Sequence, residues 1–83
     1  MVPVSIRYWA GAAAAAGVDQ ETVEAATVAE ALAQAGDRRG PDLQRVIGIS
    51  SILVEGRRIA TDERDAQLTA PIQVEVLPPF AGG

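Results

Sequence analysis

Residues 27–40, TVAEALAQAGDRRG, decide the fold. Thr27 and Glu30 have the spacing of a capping box, in which the Thr hydroxyl accepts from the N3 amide and the Glu carboxylate returns to the N-cap amide. Val28, Leu32 and Ala35 follow at i, i+4 and i+7, flanked by Ala29 and Ala31, which is the apolar stripe of an amphipathic helix. Gly36 or Gly40 supplies its stop. Arg38 and Arg39 fall at the negative end of the helix dipole. They read as solvated charges there, because anions prefer helix N-termini.

The segments on either side have a different rhythm. Before the helix, VPVSIRYW (2–9) alternates, with Val2, Val4, Ile6 and Tyr8 on one face and Ser5, Arg7 and Trp9 on the other, as in a half-buried strand. Pro3 suits its start or an edge. Trp9 then points away from the first face, where either local chain covers it or a partner does. AGAAAAAG (10–17) reads as a loop with about one helical turn, too short to nucleate a free helix. QETVEAA (20–26) carries a second strand on Thr22 and Val23. After the helix, PDLQRVIG (41–48) reads as a short helical turn whose Leu43, Val46 and Ile47 seal the core. SSILVEGRRIA (50–60) places Ile52 and Val54 on one face before a hairpin at Glu55-Gly56. TDERDAQLTAP (61–71) is a polar connection anchored by Leu68. Ile72, Val74 and Val76 alternate with Gln73 and Glu75 in the last strand.

The order is strand, strand, helix, strand, short strand, strand. It predicts an α+β fold, a mixed sheet of four to five strands packed on one main helix, with the first and last strands as central neighbours. Residues 1–77 form this domain and 78–83 an extended tail.

Composition narrows the chemistry. With 83 residues there is room for one core only. A domain of this size is marginal by itself and commonly draws on a disulfide, a metal or a partner. Cys and His are both absent, so disulfides, Cys/His zinc sites and Cys or His catalysis are excluded. A partner is the remaining source of stabilisation. Seven basic against eleven acidic residues give a net charge of −4 with no basic stripe, a poor match to nucleic acid. No apolar run reaches the roughly 20 residues that span a bilayer. No secretory leader is read at the N-terminus, so a cytoplasmic protein is expected. All seven basic residues are Arg. The side chains therefore offer no amine on which isopeptide-linked chains of this protein could grow.

The tail, LPPFAGG (77–83), asks for a partner too. Pro78 and Pro79 favour extended backbone and forbid a return as helix. Phe80 offers one large apolar anchor. Ala81, Gly82 and Gly83 bring almost no side chain, so the backbone can enter a narrow slot and approach a reactive group closely. Everything in the tail then positions one functional group, the α-carboxylate of Gly83. A carboxylate resists nucleophiles until it is activated, most simply as a mixed anhydride with AMP. The chain has no base, nucleophile or metal site for that step, so it is read as non-catalytic and another enzyme must act on it. Two terminal glycines alone arise by chance in roughly 0.5% of chains. Their weight comes from the strand, prolines and Phe that precede them.

In IRYWAG (6–11), TVAEAL (27–32), VEG (54–56) and above all LPPFAGG, the chain resembles the ubiquitin-like sulfur carriers with a β-grasp fold, in particular the small subunit of molybdopterin synthase. It departs from the usual pattern at Ala70-Pro71, where a Gly-Asp turn is common, and at Glu55, where Asn is common. The resemblance implies that an E1-like enzyme spends ATP to adenylate Gly83, and that a sulfur donor displaces AMP to leave a thiocarboxylate. It further implies insertion of Pro78, Pro79, Phe80, Ala81 and Gly82 into the large synthase subunit, within a heterotetramer. There the sulfur passes to cyclic pyranopterin monophosphate, on the way to molybdenum cofactor. No cofactor is held permanently, ATP belonging to the activating enzyme. Trp9 and Leu77 are the expected interface residues. Three other readings stand beside this one. They are a sulfur carrier for cysteine, thiazole or tRNA thiolation, a protein modifier joined to target lysines, and an adaptor with an incidental tail.

Overall fold

The computed structural model describes residues 1–79, and the tail positions Phe80, Ala81, Gly82 and Gly83 lie outside them. Among the described residues five strands form one mixed sheet. β1 (Val2–Tyr8) follows its sequence parity, with Val4, Ile6 and Tyr8 at most 2% exposed. β2 (Gln20–Ala25) lies antiparallel to it and sets Val23 opposite Val4. β5 (Ile72–Leu77) lies parallel to β1 on its other side, with Val74 opposite Ile6 and Val76 opposite Tyr8. β3 (Ser51–Val54) pairs antiparallel with β5, and the two-residue β4 (Arg57–Arg58) closes the edge. The order β2-β1-β5-β3-β4 makes the first and last strands central neighbours, as predicted.

α2 (Val28–Arg39) is the main helix. The Thr27 hydroxyl accepts from the Glu30 amide at 3.0 Å, as a cap should. The Glu30 carboxylate instead accepts from the amide of Ala26, one residue before the cap, at 3.3 Å. Gly40 ends the helix, and Gly36 serves packing. A Cβ on Gly36 would lie 2.8 Å from Gln44 Cγ, so the missing side chain lets α3 (Pro41–Ile49) approach closely. Thr27→Ala is expected to cost about 1 kcal/mol of stability, read as a lowered thermal midpoint. An unchanged midpoint would show that Glu30 suffices as a cap.

Two segments are more helical than their sequence suggests. The alanine run forms α1 (Gly11–Ala16), ended by left-handed Gly17 and held by burial of Ala12 and Ala16. Tertiary packing supplies what propensity cannot. Residues 41–49 make the nine-residue α3, started by Pro41 at a position where its missing N–H is harmless. Leu43 is fully buried, while Val46 and Ile47 pack at the core's edge. The hairpin turn is as read, with Glu55 and Gly56 both left-handed at φ 50 and 80°. After a 3-10 turn (Thr61–Asp65), Leu68 packs on the core and its amide donates to Ala26 O at 2.8 Å. Among the described residues no helix is long and apolar enough to cross a membrane.

Candidate functional site

The site is built around the end of β5. Because β5 is flanked by β1 and β3, its last residues are held on both sides. Leu77 lies opposite Ser51, and the Trp9 amide donates to Val76 O at 3.1 Å. Leu77 is half-buried, Pro78 is buried and Pro79 is exposed. β5 thus ends at Leu77, with Pro78 still packed against the fold and Pro79 exposed. Of the predicted site residues, Trp9, Leu77, Pro78 and Pro79 meet at this end of the sheet. Phe80, Ala81, Gly82 and Gly83 lie outside the described residues.

Trp9 is 39% exposed, and the Arg7 guanidinium stacks on its ring at 4.5 Å from the centroid. A cation over the indole face is an attractive contact that also orients the ring. Ala10 follows at φ 48°, a strained left-handed position for a residue with a Cβ. The turn it makes is closed by the Ala12 amide donating to Trp9 O at 2.9 Å. These two backbone hydrogen bonds, to Val76 O and from the Ala12 amide, fix where Trp9 stands beside the end of β5. Away from the helices the sheet is polar, with Ser5 beside Thr22 and Gln73, and Arg7 beside Gln20 and Glu75. Leu53 and Leu77 interrupt it near the tail.

Beneath Trp9, a cluster that sequence reading missed braces β1 against α2. Glu21 points to the helix face of the sheet, its side chain only 7% exposed. The Tyr8 hydroxyl donates to its Oε2 at 2.5 Å, Arg39 reaches both oxygens at 3.3 and 3.0 Å, and Arg38 Nη1 reaches Oε1 at 3.3 Å. The two arginines are thus ion-paired, not merely solvated. The signal was available in parity, since Glu21 is two residues from Val23 and must share its inward face.

Burial alone would raise the Glu21 carboxyl. Hydrogen bonds from Arg39 and Tyr8, with both guanidinium charges, outweigh it and hold the group below its ordinary 4.5. Burial first, then the bond to Glu21 and its charge, push the Tyr8 phenol far above its ordinary 10.0. The signs follow from linkage. Stability from Glu21 is complete above about pH 4.5 and is lost as pH falls through its depressed folded value. Stability from Tyr8 is complete below 10.0 and is lost as pH rises. Glu21→Gln should flatten the acid limb of a plot of unfolding free energy against pH. It should also cost about 1–2 kcal/mol at pH 7, a modest figure because Arg38 is exposed and Arg39 only part-buried, so solvent screens the pairing. An unchanged acid limb would remove Glu21 as its cause.

No protein-family model and no curated protein matches the sequence. Solved structures do. The small archaeal modifier protein 1 of Methanosarcina acetivorans aligns over 100% of this chain and 98% of its own, with a TM-score of 0.84 and 24% identity. That of Haloferax volcanii aligns over 98% and 99%, with a TM-score of 0.79 and 25% identity. The fold is the ubiquitin-like β-grasp. A third β-grasp neighbour comes from the complex of subunits 1 and 2 of molybdopterin-converting factor from Helicobacter pylori. It covers 98% of this chain and 99% of its own, with a TM-score of 0.67 and 18% identity. The expectation of a ubiquitin-like α+β fold is met, with two further α-helices beside the main one among the described residues.

Proposed function

We propose that this β-grasp chain is a non-catalytic sulfur carrier whose thiocarboxylate forms at Gly83. One observation carries the reading. The strand that runs into Pro78, Pro79 and the Gly-Gly pair is the buried centre of the sheet, held by β1 and β3 up to Leu77. A carrier needs that combination of a rigid root and a thin tip, so that little ordering entropy remains to be lost when the tip enters an active site.

The chemistry balances as two substitutions. A carboxylate oxygen of Gly83 attacks the α-phosphorus of ATP in an E1-like enzyme, releasing pyrophosphate and leaving an acyl adenylate. A sulfur nucleophile from the donor then attacks the glycyl carbonyl and expels AMP. Glycine suits this carbon because no side chain obstructs the approach. The tail next enters the large subunit of molybdopterin synthase, two copies of each subunit forming the assembly, and the sulfur is transferred to cyclic pyranopterin monophosphate. A neighbour captured as subunit 1 beside subunit 2 of molybdopterin-converting factor supports this partner. Trp9 and Leu77, beside the tail's root, supply its contact surface.

The test is direct. Chain, E1-like enzyme, ATP and sulfide are combined, and intact mass reports exchange of oxygen for sulfur. Large subunit and pterin substrate are then added and molybdopterin is assayed. Product formation establishes partner and pathway together. Loading without product keeps the carrier and moves it to another acceptor, as in cysteine, thiazole or tRNA thiolation. No loading with any activating enzyme overturns the proposal.

A protein-modifier role is the second reading, favoured by the likeness to the archaeal modifier structures. It shares the adenylation step and differs in the nucleophile, a lysine amine in place of sulfur. It predicts higher-mass conjugates in cell extracts. Since the chain has no lysine, those conjugates would not be extended through its side chains.

A further inference from the structure

A cavity of about 700 Å³ opens beside β3, bounded by Ile49, Ser51, Arg58, Thr61, Glu63 and Arg64. Its charges are unbalanced. Glu63 is the carboxylate in its wall, and it is already engaged: Oε1 accepts from the Ala60 amide at 2.8 Å, and Oε2 lies 3.8 Å from Arg57. Arg58 and Arg64 make no ion pair among the described residues. The Nε of Arg64 is buried with no hydrogen-bond acceptor among them. A buried N–H without an acceptor is uncommon in native folds and calls for explanation. Two unmatched guanidinium groups in one hollow are also unexpected in a chain of net charge −4.

Arg58 is exposed and Arg64 part-buried, so an acceptor from outside the chain would meet these two side chains rather than the buried Nε itself. Ser51, in the cavity wall, pairs with Leu77, the last residue of β5. Adjacent strands are about 4.8 Å apart, so the cavity lies one strand away from the root of the tail. A protein that grips the tail at its root comes up to Leu77 and so to the neighbouring Ser51. Ile49, on the cavity's rim, is 64% exposed and offers that protein an apolar contact. Arginine beside exposed apolar surface is a composition enriched in interfaces.

We infer that the cavity is a docking socket for an acidic side chain of the protein that receives the tail, its carboxylate bound by Arg58 and Arg64. The planar guanidinium fork matches a carboxylate in a way lysine does not. The socket would fix the partner's orientation while the tail enters its active site. Naming the tail-receiving protein as the occupant rests on the carrier reading.

Titrations against the E1-like enzyme and the large synthase subunit test this, using the full chain and its Arg58→Glu and Arg64→Gln variants. Arg45→Glu, an exposed change on α3 that does not touch the cavity, is the control for net charge. Arg58→Glu should raise Kd at least tenfold for one of the two partners, and Arg64→Gln severalfold, with Arg45→Glu below twofold. Arg58→Lys should recover only part of the loss. Arg58 is exposed, so its variants carry the test even if those at Arg64 fold poorly. Equal affinity of the Arg58 variants for both partners overturns the socket, as does an equal loss at Arg45. Loading, read by intact mass, separates the two ideas. A wild-type chain that loads while the variants bind as well as it does overturns the socket alone. A wild-type chain that neither binds nor loads overturns the carrier reading and the socket with it.

Discussion

A chain lacking Gly83 is expected to fold as the full chain does and to take up less than about 1% of its sulfur. The fold is expected to persist because Gly83 has no side chain to bury, and the largest buried side chains among the described residues are Ile6, Leu43, Ile52, Val4, Val74 and Val76. Loading fails because the reacting carbon moves. The shortened chain still ends in a glycine carboxylate, at Gly82, but that group lies one residue, about 3.5 Å, short of its target. A misplacement of about 1 Å can already cost on the order of 10²-fold in rate. Intact mass after reaction with activating enzyme, ATP and sulfide gives the yield, and circular dichroism the fold. An unchanged yield would mean that the activating enzyme does not measure the tail, which would sink the proposed mechanism.

Ile6→Ala should have the largest effect on stability. Ile6 is fully buried in β1, between Glu21 on β2 and Val74 on β5. Truncating a buried Ile costs about 2–5 kcal/mol through lost transfer energy and the cavity left behind. A domain of this length has roughly 4–12 kcal/mol in total, so a large fraction would be lost. The thermal midpoint should fall by about 10–30 °C. Leu53→Ala, half-buried on the opposite face of the sheet, is the comparison and should move it far less. A small shift for Ile6→Ala would mean that the central strands do not carry the fold. The functional consequence is that β1 braces β5, so loosening Ile6 loosens the root of the tail.

The strands were legible because a half-buried sheet writes itself with period two. Val4, Ile6 and Tyr8 in β1, and Val74 and Val76 in β5, all face the helices as their spacing requires. Thr27, Glu55 and Gly56 were readable because caps and tight turns are local chemistry. The helical state of residues 11–16 was not, since it depends on Ala12 and Ala16 meeting a core assembled from elsewhere. Glu21 was passed over because its partners Tyr8, Arg38 and Arg39 are 13 to 18 residues distant. The same holds for the cavity, whose walls come from α3, β3 and the segment around Arg58 and Arg64. At the tail, Pro78, Pro79 and the glycines marked a candidate site, of which Pro78 and Pro79 are among the described residues. What the sequence could not say is that Pro78 is still inside the fold.

The parallel pairing of β1 with β5 has a practical use. Both strands run the same way, so Val2 and Leu77 lie at opposite ends of the sheet, separated by roughly 20 Å along the strands. In the 83-residue chain the side chains carry no amine, which leaves the main-chain amine at Met1 as the one target for amine-reactive reagents. Coupling there, to a bead or a sensor chip, would orient every molecule alike. Each would present the Leu77 end of β5 to solution, open to whatever enzyme grips it.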